Sequence, residues 1–445
     1  MRFEKENLSA LNLYGLDYFI NFVHKKTIMK YRIYRFFLVL LSSLCLAIPE
    51  EANACTSFIV SGKVTKDGRP LIFKNRDTGN VNNVVVVMQG ELYRYMGITG
   101  ANDMKASNIW GGHNEAGFAI INTAAYNMNG CKIKDSDNDG VVMRRALEVC
   151  RTLADFEHLL DTLPKPLDVN SNFGVLDGEG GCAYYEAGDS GFVKFDANNP
   201  DDAPNGYLVR TNHAMTGCRD IDRGVERFMA ITDFMDEARR NGHLDCEYLI
   251  AQAPRYLTHG LTKQNLYNIL PKDENDTCFI HFSEFIPRYI SSSAILVQGV
   301  ASGESPSHTV SWTNIGWPCG SVAIPLMLEE DTPLPAIVQR DESGKAWLCS
   351  QSIEQKLKVF CLQRGNVQDY IDLSKLVNAA GTGVVQRMMP LEQEVFSHAH
   401  EALERVRKRK GGARSLRKYY EWVDEFVKKN YPSVIQTQDD DSLTH

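Results

Sequence analysis

The chain has 445 residues, 43 % of them hydrophobic and 23 % charged, with a formal net charge of −8 at pH 7. Such a composition suits a globular protein, and the acidic balance argues against nucleic acid as a default partner. No C-x-x-C pair or Cys/His cluster has the spacing of a zinc site, so no metal or other cofactor is expected.

Residues 1–28 read as neither leader nor domain, and Met29 is a second methionine placed to start one, so the first stretch is expected to be a misplaced start. From Met29 the chain carries Lys30, Arg32 and Arg35, then the apolar run from Phe36 to Leu41, then Ala52-Asn53-Ala54. A basic head, a short apolar middle and an A-x-A exit are the parts of a secretory signal peptide, here residues 29–54. The apolar run is shorter than the roughly 20 residues that span a bilayer, so no stable transmembrane anchor is expected, here or downstream. Signal peptidase would then be a partner during maturation, and the product would be secreted or periplasmic with Cys55 as its first residue.

Beyond the leader, TSFIVSGKV and LIFKN read as two strands joined by a hairpin turn at Lys66-Asp67-Gly68-Arg69-Pro70. NNVVVVMQG and ELYRYMGI follow as strands; a turn around Gly111-Gly112 leads to GFAIINTA, whose continuous apolar run suggests a strand buried on both faces. Helical spacing runs from Val141 to Leu163 and ends at Pro164. FGVLDGEGGCAYYEAG, GFVKFDAN and GYLVRTNHAM return to strands, Arg223–Arg240 and Cys246–Tyr256 to helices, and SSSAILVQGV, HTVSWTNIG and SVAIPLML to strands again. Two helices, about Pro390–Lys410 and Ser415–Tyr431, close the chain. The expected organisation is one domain over 55–390, a helical extension over 391–431 and a disordered tail over 432–445. Nine cysteines follow Cys55, an odd number, so at least one is expected to stay unpaired.

A cysteine at a mature N-terminus would put a thiol nucleophile and a free α-amine on the same few atoms. An unperturbed thiol, pKa near ~8.5, is only slightly ionised at neutral pH and needs a base. An α-amine titrating near ~8 can take its proton if an acceptor orients it. The opening hairpin folds Asp77 back beside Cys55, within reach of that amine, and Asn212 ends the strand YLVRTNH where a side chain can enter a cleft. A tetrahedral intermediate also needs neutral donors at its oxyanion, a role an Asn side chain fills.

CTSFIVSGKVTKDGRPLIFKNRDT, WGGHNEAGFAIINTA and YLVRTNH resemble the N-terminal-nucleophile hydrolases that split linear amide C–N bonds. The resemblance lies in the isopenicillin N acyltransferase and acid-ceramidase-like branch, with bile salt hydrolases and penicillin V acylases more distant. It covers roughly the first 180 residues after the leader; the C-terminal third carries no matching motif. It implies an α+β, four-layer αββα sandwich in which Cys55 is nucleophile and, through its amine, base. Asp77 of the N-R-D triplet would bind the amine and Asn212 would supply the oxyanion donor. Lys74 stands where bile salt hydrolases have arginine, leaving Arg76 as a source of a guanidinium. A second family asparagine falls near Ala124, two positions after Asn122, and a later family arginine matches Arg223 or Arg227. The implied activity is cleavage of a small-molecule or N-acyl amide through a thioester, with acyl transfer and dipeptide cleavage as alternatives.

Competing readings are simpler chemistry. A cysteine after a leader can be lipidated, which would block the amine and make a non-catalytic lipoprotein, but Ala52 and Asn53 depart from the lipobox. Asp77 in D-T-G-N is also good turn chemistry, and His213 is expected to be structural, as are Asn114 and Glu115 in a turn. Asp135–Gly140 opens like a calcium loop, yet Ala146 falls where an EF-hand needs glutamate, so a solvated acidic loop is expected. The basic cluster Arg405–Arg417 reads as a wet helix face.

Overall fold

The computed structural model describes residues 54–130, 138–219, 223–362, 369–408 and 412–435. The expected leader up to Asn53, the acidic positions 135–137 and the tail from 436 lie outside these residues. Strands and helices are numbered in chain order among the described residues.

β1 (Ala54–Val60) and β2 (Leu71–Asp77) form the expected opening hairpin, Cys55 facing Arg76 and Phe58 facing Phe73. Gly68 turns the chain between them at φ +73°, a left-handed value that a side chain would resist. A meander follows: β3 (Asn83–Gln89), β4 (Arg94–Gly100), β5 (Gly111–Asn114), β6 (Ala119–Ala124), β7 (Ser171–Leu176), β8 (Cys182–Gly188) and β9 (Gly191–Asp196). They pair in sequence order as a seven-stranded antiparallel sheet. Gly111-Gly112, read above as a turn, instead opens β5: a Cβ on Gly112 would overlap the Met96 carbonyl, so glycine lets β5 lie close to β4. The turn comes at Asn114, whose Oδ1 accepts from the Ala116 and Phe118 amides.

β10 (Tyr207–Arg210), β12 (Ser291–Gln298), β13 (Val310–Ile315) and β14 (Ile324–Leu326) join the hairpin in a second antiparallel sheet, ordered β10-β1-β2-β12-β13-β14. β11 (Phe279–His281) and β15 (Tyr370–Asp372) make a separate two-stranded ribbon.

Strand alternation decides what each face of the hairpin meets. Ser57, Lys74 and Ile72 point at the seven-stranded sheet: Ser57 Oγ lies 2.6 Å from Tyr184 Oη, and Lys74 Nζ 2.6 Å from Asn122 Oδ1. Cys55 and Arg76 fall on the same face by register. Ala54, Thr56, Asn75 and Asp77 point the other way. The sheets thus stack over a shared apolar core that includes Ile59, Ile72, Ile121 and Tyr184.

Helices α1 (Asp139–Val149) and α2 (Leu153–Thr162) cover the outer face of the seven-stranded sheet through Met143, Leu147, Phe156 and Leu160 against Phe118, Ile120 and Phe173. The single helical run expected over Val141–Leu163 is two helices, because Thr152 starts a new one: its side chain accepts from the Asp155 amide while Asp155 caps the Thr152 amide. Over the outer face of the other sheet lie α3 (Val225–Arg240), α4 (Cys246–Gln252), α5 (Trp347–Val359), the one-turn α6 (Leu373–Leu376), α7 (Val384–Arg407) and α8 (Gly412–Ile435). The order helix, sheet, sheet, helix is the αββα arrangement.

Two expected boundaries move. α7 begins at Val384 and runs through Pro390, so the division at 390/391 falls inside one helix. α8 continues to Ile435, past the expected start of the tail at 432. Both helices share the core with the sheets: Phe396 packs edge-on to Trp312, and Glu392 pairs with buried Arg255 at 2.6 Å. They are part of the domain rather than an extension of it. Among the described cysteines, Cys218 is disulfide-bonded and eight are free thiols. No helix of the described residues is long and apolar enough to cross a membrane.

Candidate active site

Cys55 is the second residue of β1 and lies at the end of the two stacked sheets, where β1 begins, β2, β4 and β6 end, and β7 is about to start. These ends bound a cleft of about 510 Å³ lined by Cys55, Lys74, Arg76, Asp77, Asn122 and Asp139, with Trp110 and Tyr126 as its aromatic walls. Four of the sequence-derived candidates beside Cys55 thus meet on one surface. The other two, Asn212 and Arg227, complete the back of it.

The main chain of Cys55 is held at both ends. Its N–H donates to Asn212 Oδ1 at 2.9 Å, and its carbonyl accepts from Arg227 Nη1 at 2.7 Å. Arg227 also donates to Thr56 Oγ1 at 3.1 Å and to Asn212 Oδ1 at 2.9 Å, so one guanidinium fixes Cys55 and its neighbour together. Burial lowers Arg227 to about 10, still far above neutral pH. Between the two family-arginine alternatives, the geometry puts Arg227 at Cys55, while Arg223 stacks over Tyr126 at 4.9 Å. Sequence spacing could not choose, because the helix start that separates them is set by Gly224.

Asp77 ends β2 at the rim of the cleft. It faces Ala54 in the register, on the opposite side of the sheet from the thiol. Its carboxylate accepts from Ser291 Oγ (2.7 Å), Asn75 Nδ2 (2.9 Å) and Arg288 Nε (2.8 Å). With Ala54 attached, the nitrogen of Cys55 is a peptide nitrogen and it bonds Asn212, not Asp77. The Nδ2 of Asn212, expected at an oxyanion, donates to the Ala124 carbonyl at 3.0 Å. Arg288 and Ser291 went unnoticed in the sequence: more than 200 residues separate them from Asp77 and no motif joins them.

Lys74 and Arg76 supply the positive side of the cleft. Lys74 Nζ donates to the Trp110 carbonyl (2.9 Å) and to Asn122 Oδ1, and burial lowers it to about 8, so its charge is partly lost just above neutral pH. Arg76 donates to Asn83 Oδ1 at 2.6 Å and lies 4.8 Å over the Trp110 ring; burial lowers it to about 10. Asn122 Nδ2 in turn donates to Asp139 Oδ2 at 3.0 Å. His213 faces the Arg223 carbonyl and the Thr211 hydroxyl and packs on Phe228, the structural part expected of it. Among the described residues no group of His, Cys, Asp or Glu is arranged to hold a metal ion.

A family model described as acyl-coenzyme A:6-aminopenicillanic acid acyl-transferase matches residues 64–267. No curated protein matches the sequence. Solved structures similar to this chain include a mutant conjugated bile acid hydrolase from Clostridium perfringens, 12 % identical, covering 62 % of this chain and 92 % of that one with a TM-score of 0.38. An N-acylethanolamine-hydrolyzing acid amidase ortholog from Caenorhabditis elegans is 17 % identical over 57 % and 93 %, TM-score 0.35. Penicillin V acylase from Agrobacterium tumefaciens is 12 % identical over 62 % and 86 %, TM-score 0.33. The residues matched by the family model carry β2, the whole seven-stranded sheet from β3 to β9 and β10, so the likeness to this acyl-transferase family lies on the two stacked sheets that bound the cleft.

Proposed function

We propose that this protein is an exported cysteine amidase that cleaves a non-peptide amide C–N bond through an acyl thioester on Cys55. The observation that carries the reading is the double anchoring of Cys55 at the mouth of a polar cleft, nitrogen on Asn212 and carbonyl on Arg227. Removal of residues 29–54 would turn that held nitrogen into an α-amine.

In this scheme the α-amine takes the thiol proton, directly or through one water, and the sulfur attacks the amide carbonyl. The C–O double bond opens to an oxyanion beside neutral donors, with Lys74 and Arg76 in the same cleft stabilising negative charge. The protonated amine then gives its proton to the departing nitrogen as the C–N bond breaks. The thioester left on Cys55 is resolved by water, which releases a carboxylic acid and restores the thiol. Asp77 lines the cleft next to Ala54, and with that residue gone it is the carboxylate nearest to the new amine along the strand pair.

The family description favours a second outcome for the same thioester, in which an amine rather than water accepts the acyl group. Product analysis with and without an added acceptor amine separates the two. The main test is direct: Cys55→Ala and Cys55→Ser are each expected to lower turnover of N-acyl amides at least 10³-fold, and the mass of trapped wild-type enzyme is expected to rise by one acyl group on a chain beginning at Cys55. Full activity in Cys55→Ala, or a mature chain that begins elsewhere or carries fatty acyl groups on Cys55, refutes the reading.

A further inference from the structure

Asp139 is a buried acidic side chain of the cleft that the scheme above does not use and that leaves one carboxylate oxygen unpaired among the described residues. It begins α1, is 6 % exposed and lines the same cleft as Cys55. Its Oδ2 accepts from Asn122 Nδ2 at 3.0 Å; its Oδ1 is buried and among the described residues has no hydrogen-bond partner, the Ser171 hydroxyl and the Asn170 backbone N–H lying near the carboxylate. A buried carboxylate oxygen left without a donor costs free energy, and such a cost is retained where a ligand supplies the donor. Lys74 does not supply it. That lysine reaches Asp139 only through Asn122, which takes the lysine proton on Oδ1 and gives its own amide hydrogens to Asp139 and, at 3.2 Å, to Ser171.

A second carboxylate, Asp103, lines the same cleft, and its Oδ2 is turned to the Asn108 amide at 2.9 Å. The charged lining of the cleft is therefore mixed, with Lys74 and Arg76 cationic and Asp77, Asp103 and Asp139 acidic. Polar side chains make up most of the remaining lining. Such a surface does not suit a long hydrocarbon chain, whose burial needs an apolar wall.

We infer that Asp139 is a specificity residue that binds a primary ammonium group carried by the amide substrate, its free Oδ1 accepting from the ammonium. This rests on the proposed cleavage of amides at Cys55. Burial raises the Asp139 carboxyl to about 6, so at neutral pH most of it is the anion that such a group requires.

The ammonium can sit on the acyl part or on the amine part, and matched amides tell these apart. One arm compares β-alanyl anilide with propionyl anilide. The other compares N-acetyl-1,2-diaminoethane with N-acetylpropylamine. Wild-type enzyme is expected to favour the ammonium-bearing member of one pair by about 10- to 100-fold in kcat/KM, the range of a charged hydrogen bond made or lost. In Asp139→Asn that ratio is expected to fall to within threefold of unity. Ratios near unity for wild type in both arms overturn the inference, and so does a wild-type preference that Asp139→Asn leaves intact. If Asp139→Asn fails to fold, the wild-type ratios together with Asp139→Glu, which keeps the charge and is expected to keep part of the preference, decide it. Failure of the underlying reading looks different: then no amide of either pair leaves an acyl group on Cys55 by intact mass.

Discussion

Arg227 does for Cys55 what a planar fork can do and a point charge cannot. Its guanidinium meets the Cys55 carbonyl, the Thr56 hydroxyl and Asn212 Oδ1 at once. A lysine there has one nitrogen for three acceptors at different bearings. Arg227→Lys is therefore expected to lower kcat about 100-fold and to destabilise the fold by about 3 kcal/mol, since it strands buried acceptors. Steady-state kinetics and urea unfolding at pH 7 measure both. Asp139 offers a titration at the same scale. Its carboxyl rises from 3.8 to about 6 on folding, so between those values the folded chain holds a proton the unfolded one has lost. The stability from that proton is complete below pH 3.8 and is lost as pH climbs through about 6. Asp139→Asn is expected to remove this fall, at most about 3 kcal/mol between pH 4 and pH 7, and unfolding midpoints at the two pH values report it. The roles of Cys55, Asp77 and Asn212 as neighbours could be reasoned from residue order. The contacts of Arg288 and Ser291 with Asp77 could not, since they depend on how β12 packs beside β2.

At the level of elements, the hairpin was readable because its signals are local: alternating apolar residues on both arms and an Asp-Gly turn between them. The break between α1 and α2 was not, because apolar spacing continues across Cys150-Arg151-Thr152 and only the cap interrupts it. α5 was missed altogether; its N-cap is Ala346, which has no side-chain signal. The start of α3 is a further case in which one residue sets a site. Gly224 sits at φ +73°, and a Cβ there would run into Arg227 Nη2. Gly224→Ala is expected to cost about 1 kcal/mol from backbone strain alone and to lower kcat more than tenfold by pushing Arg227 from Cys55. A normal kcat in this variant would show that the helix start and Cys55 are not mechanically linked.

For the whole molecule, the C-terminal helices were readable as helices but not as part of the core, because nothing in their amphipathic spacing says what their apolar face meets. The structure answers with Glu392, whose carboxylate takes two hydrogen bonds from Arg255 and one from the Ala323 amide, and with Tyr420, which accepts from the Met327 amide. Asp424 likewise accepts from the Ala336 and Ile337 amides. A chain ending at residue 390 is expected to be insoluble or unfolded rather than a trimmed enzyme. Glu392→Ala in the full chain is expected to lose about 3–5 kcal/mol, because it leaves Arg255 charged and buried with backbone carbonyls but no carboxylate beside it. Thermal melts of the two chains test this.

Ala54 is buried and paired with Asp77, so the bond joining it to Cys55 lies inside the β1–β2 hairpin, while β10 joins β1 only from Ser57 on. An external peptidase must draw extended chain on both sides of the bond into its own groove, and Ala54 and Cys55 are already held by β2. On the maturation proposed above, scission of that bond by another enzyme would have to come before β1 closes on β2, and a chain already closed would have to cut itself.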